Sequence, residues 1–119
     1  MTNKEGYYYI IYNNIFQHYD NNVYIINTTN NIYNDINIYK KAYISPCDIK
    51  YISDKCINIQ LAKKIIDNKL LLFKYKNSSF FYKNELNNLI TIIQDTIDNI
   101  NNNNLNINYL IDNNILDIK

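Results

Sequence analysis

The sequence predicts a mixed α/β fold in one small domain, and three observations predict it. Two runs rich in Tyr and Ile, at 7–12 and 23–28, have the composition of strands. Further along, Ile and Leu recur at spacings of three and four, the period of a helix with one apolar face. The chain has 119 residues, enough to bury a core, because folding removes about two thirds of the unfolded surface at this size.

Each element follows in order. The run YYYIIY at 7–12 has no breaker and reads as a first strand. Residues 13–22 are polar and turn-like apart from Ile15 and Phe16, so the strand at 23–28 should pair with the first as a hairpin with a longish loop. Thr29 or Asn30 can cap a helix whose inner face is Ile32, Ile36 and Tyr39. Tyr43, Ile44, Tyr51 and Ile52 surround Pro46, which predicts a third strand that is interrupted or lies at a sheet edge. Asp54 can cap a second helix reaching about Lys69, with Ile59, Leu61, Ala62, Ile65, Ile66 and Leu70 on its apolar arc. Gln60, Lys63, Lys64 and Asp67 project from its other side. Residues 71–82 are strand or irregular, with a turn at Asn77-Ser78-Ser79. Asn84 caps the clearest helix, whose stripe is Leu86, Leu89, Ile90, Ile93, Ile97 and Ile100. Asn101 to Asn104 make a polar break. Ile107, Leu110, Ile111, Ile115 and Ile118 then restore the helical period, so the chain divides into a domain over 1–100 and, over 101–119, a polar linker with a short helix docked on that domain.

Composition narrows the function classes. Asn, Ile, Tyr and Lys dominate, with one Gly, one Pro, no Trp and no Arg. These residues have A/T-rich codons, which points to an A/T-rich genome such as that of a virus or parasite. The abundance of aromatic and β-branched residues argues against disorder. With neither a basic N-terminal region followed by an apolar run nor a stretch of membrane-spanning length, the expectation is an intracellular protein without a membrane partner. Cys47 and Cys56 are too few for a disulfide framework or a zinc site and read as reduced thiols. No cofactor and no metal is expected. Charge is uneven: −2 over residues 1–39, +7 over 40–83, which hold ten lysines, and −4 over 84–119. A basic middle can attract phosphate or an acidic protein. The plain alternative is a solvated Lys-rich surface.

Four segments carry a family resemblance. The opening Gly6-Tyr7-Tyr8-Tyr9-Ile10-Ile11 is followed by Val23-Tyr24-Ile25-Ile26-Asn27-Thr28-Thr29-Asn30-Asn31-Ile32, which continues to Asp35-Ile36-Asn37-Ile38-Tyr39. Cys56 to Ile66 falls in the expected second helix, and Ser78-Ser79-Phe80-Phe81 precedes the last long one. In this order they resemble the GIY-YIG nuclease domain, in the branch found in large DNA viruses and phages, over roughly residues 6–100. The resemblance implies a small three-stranded, mainly antiparallel sheet flanked by helices, here with an extra C-terminal helix. It also implies a cleft in which a tyrosine helps activate water, an arginine clamps phosphate and a glutamate holds a divalent metal.

Carried over by position, the tyrosine is Tyr9, the second-motif cleft residue is Ile25, its glycine is Asn27, the arginine is Asp35 and the glutamate is Gln60. Aspartate in place of arginine repels phosphate instead of clamping it. Glutamine in place of glutamate removes the anion that a hard cation prefers, and with the metal go its Lewis acid and its activated water. The expectation is therefore a catalytically inactive domain, viral in origin, that binds DNA, RNA, or a host or viral protein, in the cytoplasm or nucleus of a host cell. Lys40, Lys41, Lys63 and Lys64 are the nucleic-acid-binding candidates. Two other readings stay open. One is an interaction protein of unrelated ancestry that forms a homodimer through its Tyr-rich sheet or C-terminal helix. The other is a divergent nuclease using Glu85 and Asp48. His18, in a polar loop, reads as a surface histidine. Tyr8, Tyr9, Tyr12 and Tyr24 can stack on bases; the plain alternative is half-buried sheet residues with hydroxyls at the surface.

Overall fold

A computed structural model of the chain describes residues 4–102. Its strands are β1 (Tyr7–Tyr12), β2 (Val23–Thr29), β3 (Asp48–Ile52) and β4 (Phe81–Lys83), and its helices are α1 (Ile32–Ala42), α2 (Ile59–Lys69) and α3 (Leu86–Asn101). The strands form one antiparallel sheet in the order β3-β1-β2-β4. The fold is thus mixed α/β as expected, with four strands where three were expected. The fourth is the end of the 71–82 segment, which begins as a 3-10 turn at Leu71–Phe73 and becomes a strand only at Phe81. Three residues carry too little periodic signal to announce a strand; cross-strand pairing with Val23, Tyr24 and Ile25 makes it one.

β1 is central and buried on both sides, which explains its unbroken apolar run. The pleat sends alternate residues to opposite faces. Tyr8, Ile10 and Ile26 face α2 and α3, where Ala62, Ile65, Ile66, Leu89, Ile93 and Ile97 complete the larger core. Tyr9, Ile11, Val23 and Ile25 face the other way, onto Phe16 and onto Ile32, Ile36 and Tyr39 of α1. The result is three layers, with two helices on one face of the sheet and one on the other.

β3 lies at an edge, one of the two outcomes expected around Pro46, which itself precedes the strand, and a bulge at Lys50 separates the pairs Ile10↔Tyr51 and Ile11↔Ile49. Gly6 immediately precedes β1, at a place where a side chain would be tight. A Cβ there would stand 3.1 Å from both the Thr29 carbonyl oxygen and the Ile59 side chain.

The predicted helix caps are corrected by one to four residues. Asn31, not Thr29 or Asn30, caps α1 by accepting from the amides of Tyr33 and Asn34. Asn58, not Asp54, caps α2 by accepting from Leu61. Asn84 does not cap α3; its side chain accepts from the Glu85 amide and from Asn88, one residue too early. In an Asn-rich chain several neighbours offer the same acceptor, and the backbone path selects among them. Of the predicted α3 stripe, Leu89, Ile93, Ile97 and Ile100 are buried, and Leu86 and Ile90 are half-buried against the same core. Asn101 ends α3 rather than opening a linker, and the expected docked helix beyond 102 lies outside the described residues.

Candidate functional site

The candidate site lies where the start of α1 crosses β1 and β2. The Tyr9 hydroxyl donates to Asp35 Oδ2 at 2.8 Å. The Thr29 hydroxyl donates to Asp35 Oδ1 at 2.9 Å and accepts the Asn31 amide at 2.9 Å. The Tyr39 hydroxyl lies 2.9 Å from that of Tyr9. Because Tyr9 gives its one proton to a group that only accepts, Tyr39 is the donor in this pair. Protons therefore point along one chain, from Tyr39 to Tyr9 to Asp35, with Thr29 closing on the second oxygen.

The elements explain this convergence. Tyr9 and its cross-strand partner Asn27 share a face of the sheet, as do Tyr7 and Thr29. Asp35 and Tyr39 lie one helical turn apart on α1, on the side turned to the sheet. Asp35 also lines an open cleft of about 540 Å³ with Lys4, Glu5, Thr28, Asn30 and Ile59. Among the described residues no cation pairs with Asp35.

Burial, reinforced by the bonds to Tyr39 and Asp35, pushes the Tyr9 phenol far above its usual range. A phenol in that state holds its proton at neutral pH and cannot act as a base. Burial likewise raises Tyr39.

Of the five positions carried over from the resemblance, the structure joins Tyr9 directly to Asp35 and sets Asn27 opposite Tyr9. Ile25 is buried in the same apolar cluster as Tyr9. Gln60 stands apart. It lines a second groove with Asn58, Leu61, Lys63, Lys64 and Asp67, and the α2 residue turned toward the Asp35 cleft is Ile59. Lys63 and Lys64 do share Gln60's side of α2, but Lys63 is tied to Asp67 at 3.0 Å. Lys40 lines a different groove, between α1 and β3, so it does not reach the Lys63 rim. Glu85 and Asp48 do not line the cleft; Asp48 sits opposite Tyr12 at the far end of β3.

Sequence reasoning missed Thr29, Tyr39 and Glu5. The signal for Tyr39 was its spacing of four from Asp35, read only as core periodicity. The signal for Thr29 was a hairpin register that the sequence leaves open.

Of the four tyrosines that could stack on bases, Tyr8 and Tyr9 are buried, so neither offers a ring face to a base, and Tyr12 and Tyr24 are half-buried in the sheet. His18 is exposed at the end of a 3-10 turn. Cys47 and Cys56 are free, and burial pushes the Cys56 thiol up. Among the described residues no three His, Cys, Asp or Glu side chains group as metal ligands, and no helix is long and apolar enough to cross a membrane. Compared with protein-family models, with curated proteins and with solved structures, the chain matches none.

Proposed function

We propose that this chain is a catalytically inactive, GIY-YIG-like binding module of viral origin, acting inside a host cell, in cytoplasm or nucleus, on a nucleic-acid or protein partner. One observation carries the reading. At the position where the resemblance implies a phosphate-clamping arginine there is a carboxylate, held in place by the Tyr9 and Thr29 hydroxyls. That carboxylate repels a phosphodiester, and the tyrosine that would help activate water is committed to it as a donor. The element order strand–strand–helix–strand–helix supports the ancestry.

The Asp35 cleft favours a protein partner, because its fixed anion suits a basic side chain better than a phosphate. Nucleic acid, if bound, belongs to the groove on α2, where Lys64 is exposed and has no ion pair among the described residues. A homodimer is the second reading, favoured by the exposed apolar side chains Tyr33, Ile49 and Ile52.

Two measurements test the proposal. The purified protein with Mg²⁺ or Mn²⁺ should not cut single-stranded, double-stranded or branched DNA, or RNA, above background. Metal-dependent cleavage that disappears in Tyr9→Phe overturns it. Titration of labelled DNA and RNA at two salt concentrations then separates the partners. Binding that weakens steeply with salt and is lost in Lys63→Glu/Lys64→Glu assigns nucleic acid to α2; no binding at low salt leaves a protein partner.

A further inference from the structure

At the β4 edge of the sheet, aromatic rings stand partly outside the core. Tyr19 and Phe80 are 47% and 42% exposed. Tyr19 lies nearly parallel to the buried Phe16, with 6.1 Å between centroids and 17° between planes, so the core fixes it from behind. Tyr75 and Phe81 adjoin Tyr19 at 6.3 and 5.8 Å, and Phe80 adjoins Phe81 at 5.0 Å. The Tyr75 hydroxyl donates to the Tyr19 carbonyl at 2.8 Å and ties the two loops together. Tyr19, Tyr75, Lys76, Ser78 and Phe81 line an open hollow of about 250 Å³.

The polar groups around the hollow suit an anion. The Ser78 hydroxyl accepts the Phe80 and Phe81 amides at 3.3 and 3.1 Å, which leaves its own proton to donate. Lys76 holds its ammonium 5.2 Å from the centroid of the Tyr75 ring and has no ion pair among the described residues. Lys83, on the same side of β4 as Phe81, pairs with Asp20 at 2.7 Å. That bond holds Asp20 below its usual range, and the charge of Lys76 adds to the effect. Two ammonium groups thus stand near one carboxylate, and the local balance is positive. Backbone strain falls in the same place. Among the described residues the non-glycine positions with positive φ are Asn22, Lys76 and Asn77. Asparagine takes that conformation readily and lysine does not. At Lys76 the turn gives up stability and keeps an ammonium beside the rings.

We propose that this hollow binds a single-stranded nucleic acid, with unpaired bases on the rings of Tyr19 and Phe80 and a backbone phosphate at Lys76. Every base has a π-face, and an unpaired one stacks on an exposed aromatic ring. The hollow is too small to enclose a free nucleotide, but two exposed rings, each beside Phe81, accept neighbouring bases of a strand. A duplex keeps its bases stacked on one another and offers the rings nothing. A proline-rich peptide also favours aromatic grooves, but it brings no charge for Lys76 to meet. The inference goes beyond the nuclease-like reading. It uses neither the Asp35 cleft nor the groove on α2, whose lysines offer a phosphate charge but whose lining has no ring for a base.

The test is fluorescence anisotropy of the full chain with a short labelled oligothymidylate, and with an abasic strand of the same length that has the phosphates without the bases. At low salt the oligothymidylate should bind about tenfold more tightly than the abasic strand. Tyr19→Leu and Phe80→Leu keep an apolar side chain and remove the ring. Each should weaken the oligothymidylate about tenfold and leave the abasic strand unchanged. Phe80 is exposed, so its variant keeps the fold and decides the matter if Tyr19→Leu does not fold. Lys76→Asn/Asn77→Gly relieves the turn; it should weaken both strands severalfold and lower the slope of log affinity against log salt by about 0.7. Lys63→Glu/Lys64→Glu should leave the effect of Phe80→Leu in place. Equal affinity for the two strands, or an oligothymidylate indifferent to both ring variants, overturns the proposal. So does the absence of binding at low salt, or a preference for a proline-rich peptide.

Discussion

Tyr8 and Tyr9 are neighbours in β1, and the pleat gives their hydroxyls opposite fates. Tyr9 donates into the Asp35 chain; the Tyr8 hydroxyl is buried among α2 and α3 with no hydrogen-bond partner among the described residues. Burial alone pushes a phenol up, and both are raised for that reason first. Removing one hydroxyl should therefore differ from removing the other. Tyr9→Phe is expected to cost about 1–3 kcal/mol, because it deprives a half-buried carboxylate of a donor. Tyr8→Phe is expected to leave stability unchanged or raise it by about 1 kcal/mol, because it takes away a desolvated polar atom and breaks no protein bond. Urea unfolding of the two variants checks the contrast, and equal losses would mean that Tyr8 has a partner after all.

At the scale of elements, α3 was the most legible. Its stripe repeats over four turns, and all of Leu89, Ile93, Ile97 and Ile100 are buried. Ile93 is fully buried, so Ile93→Ala should cost about 2–4 kcal/mol, part transfer and part cavity. A loss under half a kcal/mol in chemical denaturation would mark that face as a partner surface. The turn before β4 was legible only in outline. The Ser78 amide bonds the Tyr75 carbonyl at 3.0 Å, and Lys76 and Asn77 both have positive φ, 50° and 61°. That is the geometry of a type I′ turn, which favours Asn-Gly. Lys76→Asn/Asn77→Gly should thus raise stability by about 1 kcal/mol, read as a shift in the urea midpoint with an unchanged slope. The sequence placed the turn one or two residues late, because Ser and Asn are common turn residues and Lys is not.

For the whole molecule, the tyrosines couple stability to alkaline pH. Burial raises Tyr8, Tyr9, Tyr24, Tyr39, Tyr43 and Tyr82, and pushes Tyr51 up to about 12. Tyr51 also donates to Gln94 across the sheet–α3 interface. Each is a neutral acid whose folded pKa lies above its unfolded value near 10. Above pH 10 the unfolded chain releases protons that the folded one keeps, so stability present below pH 10 falls as pH rises toward and through the folded values. Unfolding above pH 10 should coincide with a cooperative rise in tyrosinate absorbance. Gradual titration of these phenols in a chain that stays folded would show that they are accessible.

The sequence by itself determined the class of fold, the hairpin and the buried face of α3, because each follows from local composition or from a period of two or three to four. It also supplied Asp35 and Tyr9 as positions to inspect. It did not determine that β4 exists, which Asn caps which helix, or that Tyr39 and Thr29 close on Asp35. Those depend on cross-strand register and on the path of the backbone between elements. The separation of Gln60 from Asp35 belongs to the same class. The helical period already set Ile59 and Gln60 on different sides of α2, about 100° apart, but only the packing of α2 on the sheet decided that the cleft holding Asp35 lies on the side of Ile59.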